Sequence, residues 1–334
     1  MPNSQSEYQI LKESIFQIQS ELDFKKTALS VFYFQYHHIP IYREWLDYLH
    51  TDISKVKELH QIPFLPIRFF KEHRVVRENV QTEITFSSSG TTGMTTSKHY
   101  VSDLDIYEQS YRKSFEHFYG PISDYVVLAL LPSYMEREGS SLIYMTEDLV
   151  KLSHHAESGF YLNEQNELME MLKSLKKKRK KVLLLGVSFA LLDLAEQHKI
   201  DFPELIIMET GGMKGRRKEL VREALHQIYF EAFGVKHIHS EYGMTELLSQ
   251  AYSKGEGVFQ TPPWMKVLIR DTNDPLSIIE NSKSGGVNII DLANLNSCAF
   301  IATQDVGKLI DNESFEVLGR FDNSDVRGCN LLVI

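Results

Sequence analysis

Apolar positions alternate between two periodicities through the middle of the chain. Between residues 165 and 245, the pattern predicts the following elements: a helix near 165–180, a strand at 182–186, a helix at 188–198, a strand at 204–208, a helix at 215–233 and a strand at 236–240. An earlier continuous apolar run, 125–131, is typical of a strand buried on both faces of a sheet. Strands that alternate with helices in this way indicate βαβ units and a parallel sheet.

The two ends of the chain have a different pattern. Residues 8–60 look helical and amphipathic, whereas short alternating segments with Gly and Asn turns predict a β-rich region from residue 256 onward. A strand or extended link at 82–86 and a helix at 103–119 are also predicted. The chain is therefore expected to have three parts: a helical segment at 1–60, an α/β core at 61–255 and a β-rich subdomain at 256–334.

Composition and net charge exclude several classes of protein function. With 43% hydrophobic and 24% charged residues among 334, the chain is expected to fold, and no apolar stretch approaches the roughly 20 residues that span a bilayer. A formal charge of −9 argues against general nucleic-acid binding, which needs clustered cations. The start of the chain lacks a basic flank and an apolar leader, and the two cysteines form no disulfide framework. A cytoplasmic protein is expected.

A run of hydroxyl-bearing and small residues occupies positions 86–98, with the sequence Phe-Ser-Ser-Ser-Gly-Thr-Thr-Gly-Met-Thr-Thr-Ser-Lys. Its glycines let backbone N–H groups converge on an anion, its hydroxyls donate further hydrogen bonds, and Lys98 supplies positive charge. The run predicts the phosphate cradle of an ATP-using enzyme, with a plain surface turn as the alternative. The spacing is not that of a P-loop NTPase. The candidate phosphate ligands are Ser88, Ser89, Gly90, Thr91, Thr92 and Gly93.

Two further loops are predicted at strand ends. They are Glu209-Thr-Gly-Gly-Met213 and Glu241-Tyr-Gly-Met-Thr-Glu246. Ligands of parallel sheets bind beyond the carboxyl ends of the strands, so both loops are expected at one functional edge.

Several motifs, taken in order, resemble those of the adenylate-forming enzymes, the acyl-CoA synthetase and luciferase superfamily. The phosphate loop is followed by Tyr242-Gly-Met-Thr-Glu246, Thr303-Gln-Asp305 and Gly319-Arg-Phe-Asp322. Further motifs look like those of the acyl-protein synthetase (LuxE-type) branch, a relative of phenylacetate-CoA ligase. These motifs are Leu131-Pro-Ser-Tyr-Met135, Gly139-Ser-Ser-Leu-Ile143, Glu209-Thr-Gly-Gly-Met-Lys-Gly215 and Val326-Arg-Gly-Cys329. The resemblance covers most of the chain from about residue 60.

This resemblance implies an α/β fold. It is that of the N-terminal domain of an adenylate-forming enzyme, with parallel βαβ sheets and a small β-rich subdomain that ends at the hinge motif. In the larger family a rotating subdomain with a catalytic lysine follows this motif. Because the sequence stops at Ile334, twelve residues after Asp322, that subdomain is expected to be absent.

The resemblance also implies ATP and Mg²⁺ as cofactors and assigns roles to the motif residues. Glu246 would hold Mg²⁺, a hard cation that prefers oxygen ligands, and Thr245 would bond the α-phosphate. Tyr242 would stack on adenine, Asp305 would accept from the ribose hydroxyls, and Arg320 would contact ribose or phosphate. The remaining nucleotide contacts would be Gly211, Gly212 and Gly243.

Structural alternatives exist for three of these residues, and the family pattern is not fully matched. Tyr242 could be a core residue, Glu246 a carboxylate in the first turn of a helix, and Asp305 a turn cap. The Pro-Lys that usually follows the second glycine of the phosphate loop is missing, which displaces Lys98. Gln304 replaces the glycine that commonly precedes the ribose aspartate.

The acyl acceptor is expected to be a thiol. Cys329 lies five residues from the end, and Arg327 beside it would favour the nucleophilic thiolate. The arrangement resembles that of acyl-protein synthetases, which carry the acyl group on a cysteine near the C-terminus before they pass it to a reductase partner. The alternative is that Cys329 packs as a small apolar residue in a final strand. Cys298, within an apolar run, is expected to be structural.

The predicted function is ATP-dependent activation of a small carboxylic acid, a fatty acid by resemblance, and transfer of the acyl group to a protein cysteine. The first alternative is an acyl- or aryl-CoA ligase of the phenylacetate type, with coenzyme A as acceptor. The second is a non-catalytic nucleotide-binding subunit of a reductase complex.

Overall fold

The computed structural model describes residues 4–88, 96–132, 139–211, 220–279 and 283–321. The helices are α1 (Ser4–Ile15), α2 (Glu21–His38), α3 (Pro40–Tyr48), α4 (Phe69–Glu72), α5 (Leu104–Tyr119), α6 (Ser141–Ser153), α7 (Gln165–Lys177), α8 (Ser188–Gln197) and α9 (Arg222–Phe233). Short 3-10 turns cover Ile53–Lys55, Leu59–Gln61 and Ile122–Asp124.

The strands are β1 (Leu65–Pro66), β2 (Ile84–Ser87), β3 (Lys98–Val101), β4 (Tyr125–Leu130), β5 (Gly159–Phe160), β6 (Lys181–Val187), β7 (Ile206–Thr210), β8 (His239–Tyr242), β9 (Ala251–Ser253), β10 (Val258–Gln260), β11 (Met265–Arg270), β12 (Gly285–Asp291), β13 (Phe300–Leu309) and β14 (Ser314–Arg320). None of the helices within the described ranges combines the length and the apolar character needed to cross a membrane.

Twelve strands of the described residues form one sheet, in the order β11-β12-β13-β14-β10-β9-β8-β7-β6-β4-β5, with β1 paired to β13. The part from β5 to β8 is parallel, and the part from β8 through β9 to β11 is antiparallel. The sheet thus runs without interruption through the position predicted as the start of the β-rich subdomain. The three-part division of the chain stays a prediction.

The parallel half confirms the predicted βαβ alternation. Every residue of β4 is buried, and β6 is buried after its first residue, because helices cover both faces of a parallel sheet. The limits of several elements differ from those predicted; β7, for example, lies at Ile206–Thr210 and not at 204–208. Helix α9 begins at Arg222, and Val221 before it has an extended backbone (φ −63°, ψ 146°). Residues 220 and 221 are therefore not helical, although the sequence predicts a helix over 215–233. In β8, pairing with β7 and β9 moves the strand to 239–242.

The amino-terminal helices pack against the antiparallel half of the sheet. Ser20 caps α2 by accepting a hydrogen bond from Asp23 N, and Pro40 occupies the first turn of α3. Gln35 of α2 is fully buried and donates to the carbonyl oxygens of Asn294 and Leu295 at 2.9 and 3.1 Å. The predicted helical character of residues 8–60 is confirmed as far as Tyr48, after which only short 3-10 turns follow.

Strands β2 and β3 form a separate antiparallel pair, with Ser87 opposite Lys98. This pair brackets the predicted phosphate loop. Ser88 N donates to Ser97 O at 3.1 Å, and Ser97 N donates to Ser88 Oγ at 2.9 Å, so the two ends of the loop are joined by two hydrogen bonds.

Candidate active site

A cavity of about 430 Å³ lies at the carboxyl ends of the parallel strands. It gathers side chains from the ends of β6, β7 and β8, from the β2–β3 pair and from β14. Six residues predicted from sequence line it: Ser88, Gly211, Gly243, Thr245, Glu246 and Arg320. Parallel strands present their carboxyl ends at one edge, and this is why motifs that are far apart in sequence meet here.

Seven predicted residues lie outside the described ranges: Ser89, Gly90, Thr91, Thr92, Gly93, Gly212 and Cys329. Ser88, directly before 89–95, and Ser97, two residues after it, both line the cavity.

The turn that carries Thr245 and Glu246 is held by side chains from three different segments. The carbonyl oxygen of Thr245 lies 2.8 Å from Nδ1 of His99, and Asn294 Nδ2 donates to the carbonyl of Glu246 at 2.8 Å. The buried carboxylate of Asp291 accepts from Leu248 N and Ser249 N at 2.8 and 3.0 Å. No helix begins at Glu246, since the described residues 243–250 form an irregular turn, and the first-turn alternative is therefore wrong.

Glu246 is only 6% exposed although it lines the cavity. Burial raises the pKa of this carboxyl group, and a hydrogen bond from Ser97 together with the charges of Lys71 and Arg320 opposes the rise. A buried carboxylate whose charge is disfavoured gains from a cation placed against it. The arrangement suits a ligand that brings positive charge to this wall.

Mg²⁺ is compatible with this donor set. No group of three or more His, Cys, Asp or Glu side chains within the described parts of the chain could hold a metal ion. Mg²⁺, however, is often bound by one or two carboxylates together with the phosphates of a substrate. Glu246 would supply such a single carboxylate oxygen ligand.

Asp305, Tyr242 and Arg320 form a second cluster beside the cavity. Arg320 lies opposite Asp305 across the β13–β14 pair, and its Nε is 3.0 Å from Asp305 Oδ1. The Tyr242 hydroxyl donates to Asp305 Oδ2 at 2.7 Å, and the Tyr242 ring lies 5.5 Å from the ring of Phe315. Because Asp305 lies within strand β13, the turn-cap alternative is wrong.

Only part of this second cluster reaches the cavity wall. Gln304 and Arg320 line it, whereas Asp305 and Tyr242 are absent from its described lining. Burial, followed by the charge of Asp305, raises the pKa of Tyr242 well above its ordinary value. The adenine and ribose roles of Tyr242 and Asp305 remain predictions.

Arg320 lines the cavity as expected, but the other expected cation, Lys98, does not belong to its described lining. Lys98 is exposed on β3 and lines a shallow hollow with Arg74 and Thr96, and it is not among the described residues that line the cavity. Arg68 and Lys71 line the cavity instead, from α4 and the residue before it. A sequence signal existed, since two cations three residues apart flank an aromatic pair and would share one face of a short helix.

Three polar residues on the cavity wall have no role assigned from the sequence, although Thr210 and Glu241 belong to the two loops expected at this edge: Thr210, Glu241 and Gln250. The Thr210 hydroxyl donates to the Glu241 carboxylate. Pairing in β8 buries Glu241, which the sequence had indicated as the start of a loop.

Comparison with known proteins gives the family. The family model described as "Acyl-protein synthetase, LuxE" matches residues 14–334. No curated protein matches the chain.

Solved structures share the fold. The structure of 2-hydroxyisobutyryl-CoA ligase in complex with 2-HIB-AMP and CoA has a TM-score of 0.65 at 15% identity, over 92% of this chain and 70% of that one. ATP-bound MatB from Rhodopseudomonas palustris has a TM-score of 0.54 at 15% identity, over 73% of this chain and 49% of that one. The match thus spans about half the length of MatB. These likenesses confirm the predicted adenylate-forming fold, and together with the family match over nearly the whole sequence they give one conclusion: the chain belongs to the acyl-protein synthetase (LuxE) family.

Proposed function

We propose that the protein activates a carboxylic acid with ATP as an acyl-adenylate and transfers the acyl group to a thiol. The observation that carries this proposal is the cavity at the carboxyl edge of the sheet, which Thr245 and Glu246 line together with Ser88 and Ser97 of the predicted phosphate loop. Family membership supports it.

In adenylation, a carboxylate oxygen of the acid attacks the α-phosphorus of ATP, and pyrophosphate leaves with the electron pair of the broken P–O bond. The Thr245 hydroxyl would donate a hydrogen bond to the α-phosphate, where negative charge increases in the transition state. Lys71 and Arg68, at the cavity, would attract and orient the phosphates. Mg²⁺ held by Glu246 would neutralise phosphate charge.

The fixed turn at 245–246 contributes through orientation. Its backbone carbonyls are bonded to His99 and Asn294, so Thr245 and Glu246 are held in place before the substrates bind. Groups positioned in advance stabilise a transition state without the cost of reorganisation.

The two cysteines differ as acyl acceptors. Cys298 is fully buried, and burial raises the pKa of its thiol to about 12, so it is a poor nucleophile at neutral pH. Cys329, the other cysteine of the chain, is our proposed acceptor. A fatty acid as substrate and an acyl reductase as the next acceptor remain part of the proposal.

Pyrophosphate release tests the activation step. Purified protein with ATP, Mg²⁺ and a panel of acids should release pyrophosphate, and Glu246→Gln should lower the rate at least about 100-fold. Glu204→Gln is the matched control, because Glu204 is exposed ahead of β7, at the opposite end of the strand from the cavity. Release by neither the wild type nor the control with any acid would contradict the proposal.

Acyl transfer has a separate test. Incubation with an accepted acid and ATP should give a hydroxylamine-sensitive adduct that Cys329→Ser loses and Cys298→Ser keeps. If Cys329→Ser still forms a thioester with coenzyme A at the wild-type rate, the protein is a CoA ligase and self-acylation is wrong.

A further inference from the structure

One wall of the cavity is polar where a binding site for a hydrocarbon chain would be apolar. Glu241 lies near the end of β8, opposite Thr210 of β7, and is 8% exposed. Its carboxylate accepts a hydrogen bond from the Thr210 hydroxyl. Both residues line the cavity.

Gln250 stands next to this carboxylate. A Cβ added to Gly243 would lie 2.3 Å from Glu241 Oε1 and 3.5 Å from Gln250 Cγ, so the two side chains approach the same backbone position. Gln250 is 5% exposed and also lines the cavity, and its Oε1 has no hydrogen-bond partner among the described residues. A buried amide oxygen without a partner destabilises the protein, so a hydrogen-bond donor that reaches it is favoured.

The surroundings of Glu241 and Gln250 are aromatic and apolar. Tyr107, Ile143 and Met145 line the same cavity and are themselves almost fully buried. Glu241 lies opposite Tyr252 across the β8–β9 pair. Burial raises the pKa of both Tyr107 and Tyr252, and the negative charge of Glu241 raises both further. The Tyr107 hydroxyl already donates to the Ser141 carbonyl at 2.9 Å.

This combination disfavours a plain alkyl tail. A hydrocarbon chain against Glu241 and Gln250 would exclude water from a carboxylate and an amide oxygen while offering them no hydrogen bond. A hydroxyl or amino group on the substrate would donate to them, and the apolar neighbours would strengthen that bond by lowering the local dielectric.

We infer that the acid activated by this protein carries a hydrogen-bond donor, a hydroxyl or an amino group, which binds to Glu241 and Gln250. The inference rests on the proposed adenylation and names the substrate class for the same cavity. The fatty acid of the proposed function would then carry this hydroxyl or amino group.

Acids matched in chain length test it. Pyrophosphate release is measured with butanoic, hexanoic and octanoic acids and with their 2-, 3- and terminal hydroxy and amino derivatives. At least one derivative should exceed its plain parent about 100-fold or more in kcat/KM, because a site built for a polar group rejects the analogue that lacks it. Gln250→Leu, of similar size, should reduce that preference about 10-fold or more.

A second substitution identifies the donor. Glu241→Gln keeps an acceptor oxygen and removes the negative charge, so it should weaken an amino substrate strongly and a hydroxy substrate much less. Thermal unfolding of both variants shows whether they fold. The preference of the wild type for a substituted acid over its plain parent needs no variant, so it tests the inference even if both variants fail to fold. If plain acids are the best substrates in wild type, the inference is overturned and adenylation stands. If no acid releases pyrophosphate, adenylation itself is contradicted.

Discussion

Replacing His99 perturbs the turn that carries Thr245 and Glu246 without touching the cavity lining. His99 is fully buried on β3, and its Nδ1 lies 2.8 Å from the Thr245 carbonyl oxygen. A carbonyl can only accept, so Nδ1–H is the donor. Burial lowers the pKa of His99 to about 4, and the ring is therefore neutral at pH 7. His99→Asn keeps an N–H donor near the position of Nδ1, and His99→Leu removes it.

The pH dependence of stability gives the magnitude. An unfolded histidine has a pKa of about 6.5, and its folded value here is about 4, so the unfolded chain binds the proton more tightly. The contribution is fully present above pH 6.5 and is lost as the pH falls toward 4. At about 1.4 kcal/mol for each tenfold change in proton affinity, it reaches about 3 kcal/mol.

Denaturant unfolding at a series of pH values measures this contribution. The unfolding free energy of wild type minus that of His99→Asn should fall by about 3 kcal/mol between pH 7 and pH 4. Burial also lowers the pKa of His239 to about 4, but His239 is present in both proteins and cancels. A difference that does not change with pH would refute a buried, neutral His99.

Activity gives the second readout for His99. Loss of one buried hydrogen bond to the Thr245 carbonyl costs about 1–3 kcal/mol, which corresponds to about 5- to 150-fold in rate. His99→Leu should therefore lower kcat/KM for pyrophosphate release in that range, and His99→Asn by less. Equal rates for the two variants would show that this hydrogen bond does not position the turn.

Four other substitutions test the cavity. Gly243→Ala would place a methyl group 2.3 Å from a carboxylate oxygen, so kcat/KM for the acid should fall about 10-fold or more in the pyrophosphate assay. Arg320→Met breaks the ion pair with Asp305, in which the Arg320 side chain is 69% exposed. The unfolding free energy should therefore change by less than about 1 kcal/mol. Calorimetry should show weaker ATP binding to this variant. Lys71→Met should weaken ATP binding more than Lys98→Met, because only Lys71 lines the cavity; the reverse order would restore Lys98 as the phosphate ligand.

The parallel half of the sheet could be predicted from sequence because its signals are local. Continuous apolar runs such as 125–131 and 182–186 alternate with helical periodicity, and both runs are buried strands in the structure. Strand limits were less predictable. Residues 241 and 242 belong to β8 because they pair with β7 and β9, and such pairing is a tertiary contact that no local pattern contains.

The cations of the cavity illustrate a second limit. Lys98 is close in sequence to the predicted phosphate loop, but it alternates with buried His99 along β3 and is exposed away from the cavity lining. Arg68 and Lys71 reach the cavity because β1 pairs with β13, where Leu65 lies opposite Ile301. That pairing joins segments more than 200 residues apart, so nearness in sequence could not identify them.

The turn at 245–249 and the polar wall with Glu241 and Gln250 have different proposed roles in the cavity. Residues 245–249 have irregular backbone, yet His99, Asn294 and Asp291 bond their carbonyl and amide groups, and Asp291 is fully buried with a pKa that burial raises. Moving this turn would leave several buried polar groups unpaired at once, at about 1–3 kcal/mol each. Thr245 and Glu246, the proposed phosphate and Mg²⁺ ligands, are therefore held rigidly, and under the proposed function the choice of acid would depend on other side chains of the cavity wall, above all Glu241 and Gln250. Substitutions at these wall positions should therefore change the preferred acid while the Thr245–Glu246 turn stays as it is.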